Sequence, residues 1–163
     1  MINSIRFFKR DMPPQHTMIK LNTYLNFAGN TEEAFNFYQS VFGGEFRSVV
    51  RFKDMPPPAG GRGTPIAKED EDKIIHIALP IGNDVLMASD APESMGMKVI
   101  MGNNSYISVH PESKEDADRI FKALSTGGTI EMPITDQSWG DYYGSLKDAF
   151  GVQWMVNYTY PKE

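Results

Sequence analysis

LNTYLNFAGNTEEAFNFYQSVFGGEF, Leu21 to Phe46, and NSYISVHPESKEDADRIFKALSTGGTIEM, Asn104 to Met132, follow one plan. Each opens on a short stretch of alternating side chains, crosses a turn, runs through a helical pattern and stops at a pair of glycines. Tyr24-Leu25-Asn26-Phe27 aligns with Tyr106-Ile107-Ser108-Val109, and the run Glu33 to Tyr38 aligns with Asp116 to Phe121. Val41 then meets Leu124, and Gly43-Gly44 meets Gly127-Gly128 with one residue inserted before the second pair. Self-similarity of this kind marks a duplicated supersecondary unit.

The period of two in LNTYLNF predicts a strand with Leu21, Leu25 and Phe27 on one face and Asn22, Tyr24 and Asn26 on the other. Helix signals follow. Asn30 or Thr31 suits the N-cap, Glu32 and Glu33 suit the first turn, and Ala34, Phe37, Tyr38 and Val41 make one apolar stripe. In the second copy, Ser113 is the expected N-cap and Asp116 lies in the first turn. Phe46 to Phe52 reads as a second strand. IIHIALPIG and DVLMASD read as two more, joined by the turn Gly82-Asn83-Asp84. The unit is therefore βαβββ, present twice. Lys53 to Lys73, rich in proline, glycine and charge, is a surface excursion or a lid. These readings divide the chain into an extension over 1–17 and one domain over 18–160, with modules at about 18–92 and 100–160.

Composition narrows the function. Aromatic residues make up 12% and hydrophobic residues 40%, enough for a packed interior. The net charge of −5 and the lack of a basic stripe argue against a nucleic-acid partner. With no cysteine, thiolate nucleophiles, disulfides and zinc ribbons are excluded. No apolar run approaches the ~18 residues that a membrane span requires, and the first residues lack the apolar segment of a secretory signal. A cytoplasmic protein is expected. No GxGxxG follows a strand, so no Rossmann nucleotide site is visible, and Gly60-Gly61-Arg62-Gly63 lacks the GK[ST] ending of a phosphate loop.

One helix covers only one face of its sheet. Two such units can bring their open faces together around a cleft, the usual setting for a small ligand. The open faces would carry Asn22, Tyr24 and Asn26 from the first copy and Asn104, Tyr106 and Ser108 from the second. The arrangement resembles the glyoxalase/bleomycin-resistance/extradiol-dioxygenase superfamily, also called vicinal oxygen chelate, and within it the PhnB-like branch. The resemblance rests on YLNFAGNTEEAFNFYQSVFGGEF, HIALPIGNDVLMASD and IFKALSTGGTIEMPITDQSWGDYYGSLKDAFGVQWMV. It implies an α+β fold of two paired βαβββ modules, an open eight-stranded barrel-like sheet around a cleft, and a homodimer. Open sheet edges would also favour a partner.

Metal-dependent members of that superfamily carry His or Glu on the cleft sides of the outer strands. Here the corresponding positions hold Asn22, Asn104, Met155 and either Leu86 or Met87. Two amides and two apolar side chains do not hold a divalent ion against water, so neither a metal nor another cofactor is expected. The remaining candidates are His76, which faces the cleft if Ile75, Ile77 and Leu79 face the helix, and the segment SWGDYYGS, where Trp139 and Tyr143 can stack on a planar ligand. Asp90 is a turn residue or a ligand acceptor, Asp148 a turn residue, and His110 a loop residue. The resulting expectation is a metal-free small-molecule-binding protein with Asn22, Tyr24, His76, Asn104, Tyr106, Trp139 and Tyr143 at its site. The alternatives are an enzyme of the same fold, with His76 as acid or base beside Asp141 or Asp90, and a dimeric interaction protein with a vestigial cleft.

Overall fold

The computed structural model describes residues 20–56 and 66–161. The extension over 1–17 and the middle of the proline- and glycine-rich excursion lie outside the described residues. The first module comprises β1 (Thr23–Phe27), α1 (Thr31–Phe42), β2 (Ser48–Arg51), β3 (Ile74–Ile81) and β4 (Asp84–Asp90); the second comprises β5 (Ile107–Val109), α2 (Lys114–Leu124), β6 (Thr129–Asp136), β7 (Asp141–Lys147) and β8 (Gln153–Thr159). Strand order is β1-β4-β3-β2 in one sheet and β5-β8-β7-β6 in the other. The first strand of each module runs parallel to its last, and the other pairs are antiparallel. The duplication read from the sequence is thus a duplication of topology, and the two four-stranded sheets are not closed on each other.

Local chemistry explains the elements, with one substitution of means. Ser113 caps α2, its Oγ accepting from the Asp116 N–H at 3.1 Å. Asn30 occupies the corresponding place before α1 but makes no capping bond with its side chain. The cap comes instead from Asp90 at the end of β4: its Oδ1 accepts from the Thr31 N–H (3.1 Å) and the Thr31 hydroxyl (2.7 Å), and its Oδ2 from the Ile74 N–H (2.7 Å). Asp90 is therefore a buried structural carboxylate, turned to the helix side of its sheet.

The two helices pack against each other, and one continuous core joins the helix-bearing faces of both sheets. The buried stripe of α1 is Thr31, Ala34, Phe35, Tyr38 and Val41; Phe37, expected inside, is half-buried against Phe150. Tyr38 sits at the junction, its ring 5.3 Å from that of Trp154. The Asp148 carboxylate gathers four donors there: the Tyr38 hydroxyl, the Trp154 indole, and the N–H groups of Phe150 and Val152, all at 2.8–2.9 Å. Burial, reinforced by the charge of Asp148, pushes the Tyr38 phenol far above its ordinary range. A second tie crosses the modules where Arg119 Nη1 donates to the Val41 carbonyl at 2.9 Å.

Two glycines are fixed by close approach. A Cβ on Gly144 would meet the Phe121 ring at 2.7 Å and Ile134 Cα at 2.8 Å, so α2 can lie on β7 only without one. A Cβ on Gly128 would meet the Lys147 carbonyl at 2.3 Å. Strand ends are shorter than the alternation suggests: β1 starts at Thr23, and Leu21, expected to face the helix, is 88% exposed. It precedes the hydrogen-bonded ladder, so the parity of the strand does not govern it.

Candidate functional site

Strand register sorts the open faces. In the first sheet Tyr24 lies opposite Met87 and then Ala78, while Asn26 lies opposite Ser89, whose hydroxyl donates to Asn26 Oδ1 at 3.2 Å. The buried helix-side neighbours are Leu79, Leu86, Ile77 and Ala88. His76 falls on the open face and its ring stacks against Tyr24, with centroids 6.1 Å apart and planes at 25°. In the second sheet Ser108, Met155, Ser145 and Met132 form one open-face row, and Asn157, Tyr143 and Thr135 form the next. Trp154 and Val156 turn inward, which leaves Met155 and Asn157 half-buried on the other side.

One edge strand of each sheet, β1 and β5, flanks two grooves among the described residues. The larger, about 840 Å³, is bordered by Tyr24 and Asn26 from β1, by Asn104, Tyr106 and Gln153 from the second module, and by the Met97–Gly102 connection between modules. The smaller, about 500 Å³, lies past the other end of β1 and is bordered by Asn22, the β3–β4 turn, Ser108 and His110. The sequence-selected residues thus fall into three groups. Tyr24, Asn104 and Tyr106 share the larger groove, with His76 stacked behind Tyr24. Asn22 lies in the smaller groove. Trp139 and Tyr143 form a separate edge-to-face pair, with centroids 5.9 Å apart, and Trp139 is 60% exposed.

Sequence reasoning missed three contributors. The Met97–Gly102 connection supplies one wall, although nothing periodic marks it. Glu131 accepts from the Tyr106 hydroxyl at 2.8 Å, and that bond holds the Tyr106 phenol above its usual range. Gln153 precedes the Ile107–Trp154 pair on β8, as Tyr106 does on β5. It is 5% exposed, and its Nε2 is the only buried side-chain nitrogen or oxygen among the described residues without a well-formed hydrogen bond, although the amide lies within reach of the Tyr106 hydroxyl. An unpaired buried amide costs roughly 1–3 kcal/mol, so its presence in a groove calls for an explanation.

The donor set does not fit a metal. Register settles that Met87 is on the open face and Leu86 (4% exposed) in the core, so the four positions carry Asn22, Asn104, Met87 and Met155. Asn22 and Asn104 moreover border different grooves. Among the described residues, no three His, Cys, Asp or Glu side chains gather where an ion could sit. Among the described residues His76 has no carboxylate partner: Asp90 is occupied on the opposite side of its sheet, and Asp141 opens β7 in the other sheet.

This paired βαβββ architecture is matched by the family model described as Glyoxalase/Bleomycin resistance protein/Dioxygenase superfamily, over residues 20–156. The chain belongs to that superfamily. Among curated relatives of this glyoxalase-like chain, Protein YjdN of Escherichia coli K12 is 32% identical, covering 84% of this chain and 93% of its own length. Among solved structures, protein PA1353 from Pseudomonas aeruginosa is 35% identical with a TM-score of 0.75, covering 86% of this chain and 98% of that one. A PhnB protein from Bacillus cereus is 27% identical with a TM-score of 0.68, covering 86% and 100%. PhnB-like proteins are thus among its structural neighbours. The fosfomycin resistance protein FosX of Listeria monocytogenes, solved with Mn(II) and sulfate, shares the fold alone at 10% identity and a TM-score of 0.57, covering 88% and 93%.

Proposed function

We propose that this glyoxalase-superfamily protein binds a small planar organic molecule in the groove between β1 and β5 and uses no resident metal to do so. The observation that carries the reading is the groove itself. It has the volume of a small-ligand site, is bordered by Tyr24 and Tyr106, and carries the amide of Asn104 where metal-dependent relatives would need imidazole or carboxylate. Flat aromatic walls suit a flat ligand. Catalysis is less well supported, because His76 stacks on Tyr24 and lacks a carboxylate to work with. Among the described residues no helix is long and apolar enough to cross a membrane. The cytoplasm is the compartment of this proposal, its reducing conditions matching a chain without cysteine.

The working form in this proposal is a homodimer. Ile130 (49% exposed), Met132 (42%) and Trp139 lie bare in the second module, and a second copy would cover such apolar surface. Light scattering on eluted protein should give twice the chain mass; a monomer at micromolar concentration contradicts the dimer. For binding, a thermal-shift panel of planar aromatics should contain compounds that raise the melting temperature of the wild type and not of Tyr106→Ala. If no compound does so, the interaction-protein reading replaces this one.

A further inference from the structure

The orphan amide of Gln153 points to the chemistry of the ligand. Gln153 is 5% exposed, borders the larger groove beside Tyr106, and its Nε2 carries two hydrogens, of which the Tyr106 hydroxyl can take one at most. Buried donors are paired in the working molecule, so the groove offers this amide an oxygen acceptor, from water when empty and from a ligand when filled. The other polar side chains along the groove are amides and hydroxyls, with one exception. Among the described residues Lys98 is its only charged lining residue and forms no salt bridge. Glu131, the carboxylate that accepts from Tyr106, does not border the groove. Lys98 thus gives one stretch of the groove wall a positive charge in a chain of net charge −5, while the carboxylate of Glu131 stands behind Tyr106.

We propose that the groove takes a planar aromatic acid, its carboxylate oxygen accepting from Gln153 Nε2, its charge answered by Lys98 and its ring lying against Tyr24 and Tyr106. The inference rests on the reading of the groove as a small-molecule site and adds the sign and chemical class of the ligand. A neutral planar molecule leaves Lys98 unanswered. A cation meets Lys98 as a like charge. An acid without a ring leaves the tyrosine walls unused.

The test uses the full chain, naphthoate as the probe and methoxynaphthalene as its uncharged counterpart, followed by calorimetry and heteronuclear NMR. Naphthoate should shift the side-chain amide signals of Gln153, assigned by their loss in Gln153→Leu. That substitution should weaken naphthoate about ten-fold or more, since the lost bond is to a charged acceptor. Lys98→Gln, at an exposed position, should weaken it about three-fold, with the loss fading as salt rises. Equal affinity for the two probes, with Gln153 unshifted, overturns the acid while leaving the binding groove in place. Failure of both probes to bind or to disturb Tyr24 and Tyr106 overturns the groove reading as well. If Gln153→Leu does not fold, the wild-type amide signals and Lys98→Gln decide: an unmoved amide or an unchanged affinity refutes the assignment.

Discussion

The two modules share one strand order yet hold their helices by different means. In the second, the cap is local, Ser113 reaching three residues ahead. In the first, Asp90 reaches back across 59 residues of sequence and binds both the start of α1 and the start of β3. The same geometric need, a partner for the free N–H groups of a helix start, is met by a weak neutral acceptor in one copy and a buried carboxylate in the other. The difference teaches that the first module is tied together through its polar interior, while the second relies on close packing of α2 on Gly144. Asp148 then ties both modules together by accepting from a tyrosine of one and a tryptophan of the other.

The strongest way to break this comparison is to remove what the modules share. Asp148→Ala strands the Tyr38 hydroxyl and the Trp154 indole inside the core, and chemical denaturation should register a loss of about 3–5 kcal/mol. Next in size is the contrast of caps. Asp90→Ala removes the acceptor for three buried donors and should cost about 2–4 kcal/mol, whereas Ser113→Ala should cost about 1 kcal/mol. Equal losses at the two sites would show that the caps are equivalent after all.

The smallest effect lies in the acid limb of stability. Lys73, and then the Ser94 hydroxyl, hold the Asp70 carboxyl below its ordinary range. A carboxyl with a lowered folded pKa stabilises above its unfolded value, near pH 4, and that stabilisation is lost as pH falls through the lowered value. Melting temperatures followed downward from pH 5 should therefore fall less steeply in Asp70→Asn than in the wild type. Parallel curves would remove Asp70 from the account.

Much of the fold was legible because its signals are local or repeated. The aligned Tyr-x-x-Phe and Tyr-x-x-Val strands, the two apolar helix stripes, the Ser113 cap and the paired glycines all lie within one unit and recur in the other. Asp90 was not legible as a cap, because no spacing rule connects residues so far apart, and a turn-like MASDAP masks it. Leu21 was misplaced because alternation continues in the sequence past the point where hydrogen bonding begins. Tyr24 and His76 fall on the open face by strand parity, whereas Asn104 and Tyr106 precede β5 and reach the groove through the connection that leads into it. Asn22 parted from Asn104 because the two grooves lie at opposite ends of β1, a matter of how the modules sit rather than of pattern. Gln153 carries no signal in the sequence. Its interest arises only from being buried and unpaired, which tertiary packing alone decides.

The central claim is a groove that binds without a metal. Calorimetric titration of naphthoate into chelator-dialysed protein, repeated with manganese or zinc restored, tests it most directly. The same affinity is expected in both titrations. Binding that appears only when the divalent ion is returned would contradict it.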